Sequence, residues 1–214
     1  YDKTKARLVA GGNYVDTTHA GDIAAYVVNS TPVMTMLSVA ALKQLNIVTA
    51  DVTGAFLIPS LSDKKPEVTY IVIEKYIADM ISDIVPQWEE YRQSNGTYIM
   101  LLKKALYGLP VAASKWMTHL NNTFTKMDFV VTPGDKCCWT RGTGDKKVVL
   151  CSHVDDILCV GKPDGIKLFK TQFEKEYEIN VQEGQKHSYI GLDIMQQLGT
   201  HRVSIGQTGY RRDV

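Results

Sequence analysis

An excess of charge of either sign is missing from this 214-residue chain: 24 basic residues stand against 23 acidic ones, a net of +1. That balance argues against a protein that coats nucleic acid or an anionic membrane, while leaving room for a locally basic cleft. Apolar runs long enough to span a bilayer are also missing, as are a signal peptide and a lipidation signal, so no membrane partner is expected. Cysteine is scarce. Cys137, Cys138, Cys151 and Cys159 match no zinc-ligand spacing, and Cys151 and Cys159 lie in apolar, strand-like runs where a thiol acts as a small hydrophobe. Their use points to a reduced, intracellular compartment. Internal repeats and low-complexity tracts are absent. The chain opens without Met and stops abruptly, as expected of a segment of something longer.

What is present suffices for a core, since 44% of the residues are hydrophobic, in one large domain or two small subdomains. Lys5 to Ala10 reads as a short strand before a Gly11-Gly12-Asn13 break. Pro32 opens a helix with Val33, Leu37, Ala40, Ala41 and Leu45 on one face, and a strand over 46–51 follows. Pro59 to Pro66 reads as a surface loop, Val68 to Ile73 and Tyr98 to Leu102 as strands. Residues 76–92 read as a helix with a stripe of Ile77, Met80, Ile81, Ile84 and Val85. The spacing of Ala113, Trp116, Leu120, Phe124 and Met127 predicts a core-facing helix over 110–127. Short strands near 129–131 and 137–140 come next, then a hairpin over 147–161. A helix opened by Pro163 and strands near 177–182, 188–195 and 201–205 complete the order. Hairpins and short connections outnumber βαβ crossovers, so the expected class is α+β with mostly antiparallel pairing.

Candidate chemistry concentrates at Val154-Asp155-Asp156, where two apolar β-branched runs meet in an acidic pair. Asp51 closes a similar run, Leu45 to Ala50. Hard carboxylate oxygens at strand ends, with positions left open for substrate, suit a pair of Mg²⁺ ions. On spacing alone the pair reads equally as a β-turn, whose side chains satisfy backbone donors, and Asp51 as a strand end or helix N-cap.

Ordered motifs go further. Lys5-Ala6-Arg7-Leu8-Val9-Ala10, Asp51-Val52-Thr53-Gly54-Ala55-Phe56-Leu57 and Leu102-Lys103-Lys104-Ala105-Leu106-Tyr107-Gly108-Leu109 appear in that sequence. His153-Val154-Asp155-Asp156-Ile157-Leu158, Tyr189-Ile190-Gly191-Leu192-Asp193-Ile194 and Ser204-Ile205-Gly206-Gln207-Thr208-Gly209-Tyr210 follow. Together, over essentially the whole chain, they resemble the reverse transcriptase of copia-type LTR retrotransposons (Pseudoviridae). The resemblance implies a right-hand polymerase palm, an antiparallel sheet backed by helices, with partial fingers, and a thumb and RNase H are expected to be absent. Residues 1–45 and 54–110 are expected to supply fingers and palm segments, 46–53 and 111–195 mainly palm, and 196–214 the approach to the thumb. It implies an RNA-directed DNA polymerase that uses two Mg²⁺ ions, with Mn²⁺ accepted by the same ligands. Template with primer, deoxynucleoside triphosphate and the rest of a polyprotein (integrase, RNase H) become the expected partners. A virus-like particle in the cytoplasm, or the nucleus, becomes the expected location.

Carried over residue by residue, Asp51, Asp155 and Asp156 match the catalytic acids, and the Val52 backbone adds a metal-ligand oxygen. Lys5, Arg7, Ala55 and Phe56 match nucleotide-binding positions, Phe56 as the ring that excludes a 2′-hydroxyl. His153, Val154, Tyr189 and Gly191 match positions near the primer. Read without the family, Phe56 is a core residue, Lys5 and Arg7 an exposed charge pair, and Tyr189 to Gly191 an ordinary strand. Two departures stand out. The family's Lys-Gln-Ala-Pro-Arg stretch is here Pro110-Val111-Ala112-Ala113-Ser114, which removes a hydrogen-bonding glutamine and two basic residues. His153 replaces the usual tyrosine, bringing an imidazole that can stack or donate. The rival readings are a degenerate or co-opted copy that binds nucleic acid without chemistry, and a two-metal phosphodiesterase, which leaves the motif series unexplained.

Overall fold

A computed structural model describes residues 7–15, 18, 23–61 and 68–208. In chain order its regular elements begin with α1 (Ser30–Lys43), β1 (Asn46–Val52), β2 (Tyr70–Ile73), α2 (Lys75–Ile84), β3 (Tyr98–Leu101) and α3 (Ala112–Lys126). They continue with β4 (Val130–Val131), β5 (Cys138–Arg141), β6 (Val148–His153), β7 (Asp156–Gly161) and α4 (Pro163–Glu176). β8 (Ile179–Gln182), β9 (Lys186–Tyr189), β10 (Leu192–Gln197) and β11 (Arg202–Gly206) close the series. The chain divides into two compact units, residues 1–24 with 56–116, and residues 25–55 with 117–214. The boundary falls inside α3. The class is mixed α/β with antiparallel sheets, as the sequence led one to expect.

The larger unit is built on a six-stranded sheet in the order β4-β5-β6-β7-β1-β8. Its central strands are apolar along nearly their whole length: Ile47 to Ala50 and Ile157 to Gly161 are all buried, because both faces are covered. Pleating sends Ile47, Cys138, Cys151, Leu158 and Val160 to one face, where α1 packs through Val33, Met36, Leu37 and Ala40. Tyr189, Leu192 and Ile194, from the three-stranded sheet β11-β10-β9, join the same cluster. Away from it, Phe124 of α3 stacks with Phe173 of α4 and meets Phe129 and Trp139 at 5.5–5.8 Å between ring centres. α4 opens on Pro163, whose fixed φ and missing N–H suit a first helical turn, and buries Ile166, Phe169 and Phe173 as its spacing predicts.

The smaller unit holds the two-stranded sheet β2-β3, with Ile73 and Tyr98 packed against Ala78 of α2. A second cluster gathers Ala105, Leu106, Leu109 and Ala112 with Phe56 and Val111 against it.

Four expectations change. Residues 7–10 are not a strand, although the Ala10 amide donates to the Tyr107 carbonyl at 2.7 Å. The single helix over 76–92 stops at Ile84 and resumes as a 3-10 turn over Pro86–Tyr91, since Pro86 lacks the amide that would continue it. Its supposed buried stripe is split: Ala78 is sealed while Met80 and Ile84 stand in solvent. The strand over 188–195 breaks at Ile190-Gly191 into a hairpin. No helix among the described residues is long and apolar enough to cross a membrane.

Candidate active site

The hairpin β6–β7 turns in two residues, Val154 and Asp155, between the paired His153 and Asp156. Val154 has φ 56°, a left-handed conformation that a β-branched side chain rarely adopts. Such backbone strain collects at sites where a turn must aim a neighbouring group. Here the neighbour is Asp155, whose carbonyl accepts the Val52 amide at 3.0 Å, tying the turn to the end of β1.

β1 lies beside β7, and Asp51 stands directly opposite Asp156 in the ladder. Residues opposite each other in an antiparallel pair share a face, so these two carboxylates and His153 project from the face that carries α1. All three acids are half-buried, and none makes an ion pair among the described residues. Burial, then repulsion from Asp155 and Asp51, lifts the Asp156 carboxyl above the usual aspartate range. His153 and a backbone hydrogen bond with Ile190 pull in the opposite direction. The site is therefore a knot of like charge that His153 and the Ile190 hydrogen bond offset only in part.

Ile190 reaches Asp156 from the tip of the β9–β10 hairpin. Ile190 (φ 45°) and Gly191 (φ 78°) both take the positive φ that a type I′ turn demands. The Tyr189 side chain points elsewhere: it is 1% exposed, and its hydroxyl donates to the Cys151 carbonyl at 3.4 Å. Burial raises its phenol well above the ordinary tyrosine value. The imidazole Nδ1 of His153 is buried without a hydrogen-bond partner.

The residues assigned to nucleotide binding fall on both units. Ala55 is buried in the larger one. In the smaller unit the Arg7 guanidinium lies over the Tyr107 ring, 4.4 Å from its centre, and Phe56 meets the same ring edge-on at 5.0 Å. Tyr107 thus gathers Arg7 and Phe56 into one aromatic-cationic cluster. Lys5 lies outside the described residues. Val111 packs against the Leu106 and Leu109 cluster, so the aliphatic replacement sits in apolar surroundings. Two contributors escaped sequence reasoning. Tyr107 was visible only as part of its motif, and Ile190 only as the residue before Gly191.

Donor chemistry and charge at Asp51, Asp155 and Asp156 fit hard divalent cations, and the net repulsion left at Asp156 is what a bound cation would relieve. Ready-made coordination is another matter. Among the described residues no three acid, imidazole or thiol groups stand close enough together to hold an ion.

The class of protein is set by a family match: the model of the family described as reverse transcriptase (RNA-dependent DNA polymerase) matches residues 1–213, and the chain belongs to that family. Among individual proteins, it is 28% identical over 194 residues to the retrovirus-related Pol polyprotein from transposon RE1 of Arabidopsis thaliana, covering 90% of this chain and 12% of that one. It is 25% identical over 213 residues to the Pol polyprotein from transposon TNT 1-94 of Nicotiana tabacum, covering 96% and 14%. A putative transposon Ty5-1 protein of Saccharomyces cerevisiae is 30% identical over 105 residues, 49% of this chain and 34% of that protein. These relatives agree with the copia-type resemblance. The chain spans only 12% and 14% of the length of the two plant polyproteins.

Proposed function

We propose that this chain is the palm and part of the fingers of a retrotransposon reverse transcriptase, adding deoxynucleotides to a primer 3′-hydroxyl on an RNA or DNA template. The observation that carries the reading is the placement of Asp51 and Asp156 opposite each other in the central ladder, with Asp155 at the adjoining hairpin tip. The larger unit corresponds to the palm, and the smaller to material from the fingers.

Asp51 and Asp155 hold the cations, with the Val52 backbone oxygen as a further ligand, and Asp156 sets the local negative potential. Two Mg²⁺ ions, when bound, neutralise the triphosphate and acidify the primer hydroxyl. Arg7 and Lys5 bind the triphosphate, Arg7 from its perch on Tyr107. Ala55 lines the nucleotide site, and Phe56 closes the space beside the sugar C2′, selecting deoxyribose. His153, Val154 and the Ile190-Gly191 turn face the primer end. With the Tyr189 ring in the core, that hairpin's contact falls to its backbone. The remainder of the polyprotein, with integrase and RNase H, completes the grip on template and primer, in a cytoplasmic virus-like particle or the nucleus.

Primer extension on an RNA template with Mg²⁺ tests the proposal at low salt, where weak backbone contacts still hold the duplex. Asp155→Asn is expected to abolish extension and leave duplex binding and the fold in place. Equal extension by variant and wild type removes Asp155 from the chemistry. A wild-type chain that binds duplex and extends nothing, even with flanking polyprotein segments restored, favours the co-opted copy.

A further inference from the structure

β5 and β6 place Cys138 and Cys151 directly opposite each other, on the sheet face that packs against α1. Opposite residues in an antiparallel pair have Cα atoms about 4.5–5.5 Å apart, inside the range a disulfide spans. The two Sγ atoms are 2.8 Å apart, about 0.8 Å beyond a sulfur–sulfur bond. Cys151 in turn donates to the Met36 sulfur at 3.0 Å, so the thiols form a short chain with Cys138 at its outer end. Cys138, although only 4% exposed, lines a surface cavity of about 550 Å³ that it shares with Asn29, Pro32, Met36, Asp135 and Val149. Cys151 has no exposed surface and lines no part of that cavity. Cys137 and Cys159 are free thiols, and neither is bonded to another sulfur.

We propose that Cys138 and Cys151 are an oxidative modification site, closing to a cross-strand disulfide when a small hydroperoxide enters the cavity beside Cys138. The Cys138 thiolate attacks the peroxide oxygen, the O–O bond breaks, and Cys138 becomes a sulfenic acid as the peroxide is reduced to water. The Cys151 sulfur then displaces the sulfenic oxygen, which leaves as a second water with the Cys151 proton. In sum, two thiols and one hydrogen peroxide give one disulfide and two waters. The order follows from access, since Cys138 lines the cavity and Cys151 does not. The hydrogen bond with Cys138 and burial hold the Cys151 thiol far above the ordinary cysteine range, so it waits for an activated partner. The product would lock β5 to β6, the strand that leads into His153 and the acidic hairpin. This inference does not depend on the polymerase reading.

The test treats the folded chain with hydrogen peroxide, removes the excess with catalase, then counts alkylatable thiols in denaturant. The four free thiols are expected to fall to two. Tandem mass spectrometry of the unreduced digest should show Cys138 joined to Cys151 within one chain, with the signal lost after reduction. Cys159→Ala should still lose a thiol pair, whereas Cys151→Ala should form no cross-link and lose only the Cys138 thiol, which stops at the sulfenic acid. A chain that keeps all four thiols, gains oxygen without a cross-link, or joins Cys151 to Cys137 overturns the assignment. The peptide linkage in the wild-type chain decides the matter even if a variant fails to fold.

Discussion

Replacing Asp156 with asparagine should stabilise the protein at neutral pH, although it removes an acid from the proposed active site. Asn is nearly isosteric and keeps an oxygen to accept the Ile190 backbone bond, so the change removes charge and little else. Asp51 lies directly opposite and Asp155 adjoins it in the chain, so two repulsive neighbours are relieved. Like charges facing each other across a ladder cost about 0.2–1 kcal/mol per pair, which makes the expected gain about 1 kcal/mol after solvent screening. In a chain of this size that raises the melting temperature by about 2–4 °C. The pH dependence fixes the sign. The folded carboxyl lies above its unfolded value of about 3.9, so the wild type loses stability as pH climbs from there through the folded pKa. Asp156→Asn should therefore melt higher at pH 7 and converge with wild type near pH 3. Thermal unfolding followed by circular dichroism at both pH values, in low salt, measures this. A variant that melts at or below wild type at pH 7, or an undiminished gap at pH 3, refutes the picture of net repulsion at Asp156.

Millimolar Mg²⁺ should raise the melting temperature of wild type more than that of Asp51→Asn, since a cation held by the folded site adds its binding free energy to stability; equal shifts would detach Asp51 from the ion. Phe56→Ala should raise ribonucleotide relative to deoxyribonucleotide incorporation, and an unchanged ratio returns Phe56 to a packing role beside Tyr107. Phe124→Ala, at a fully buried ring touching Phe129, Trp139 and Phe173, should cost about 3–5 kcal/mol in urea unfolding, and a loss under 1 kcal/mol would show that the site collapses around the void. Gly191→Ala should cost about 1 kcal/mol even though nothing lies within 4 Å of the added methyl, because φ 78° is the obstacle; a neutral result means the turn relaxes.

Much of this protein could be read from local order. The helices α1, α3 and α4 announce themselves through apolar spacing and proline placement, and β1, β6 and β7 through unbroken β-branched runs, since both signals arise within a few residues of chain. The acidic hairpin and the ordered motifs were likewise legible, and they led to the family that matches residues 1–213. What lay beyond reach depends on partners distant in the chain. The split of helix 76–92 was signalled by Pro86 and outweighed by the apolar pattern around it. The sequence alone determined which carboxylates this chain has and that one hairpin carries two of them. Tertiary structure decided the rest: that Asp51 faces Asp156, that the Ile190 turn reaches the same carboxyl, that Tyr189 turns inward, and that Tyr107 gathers Arg7 and Phe56. Each of those depends on strand register and cross-chain packing, where a slip of one residue sends a side chain to the opposite face.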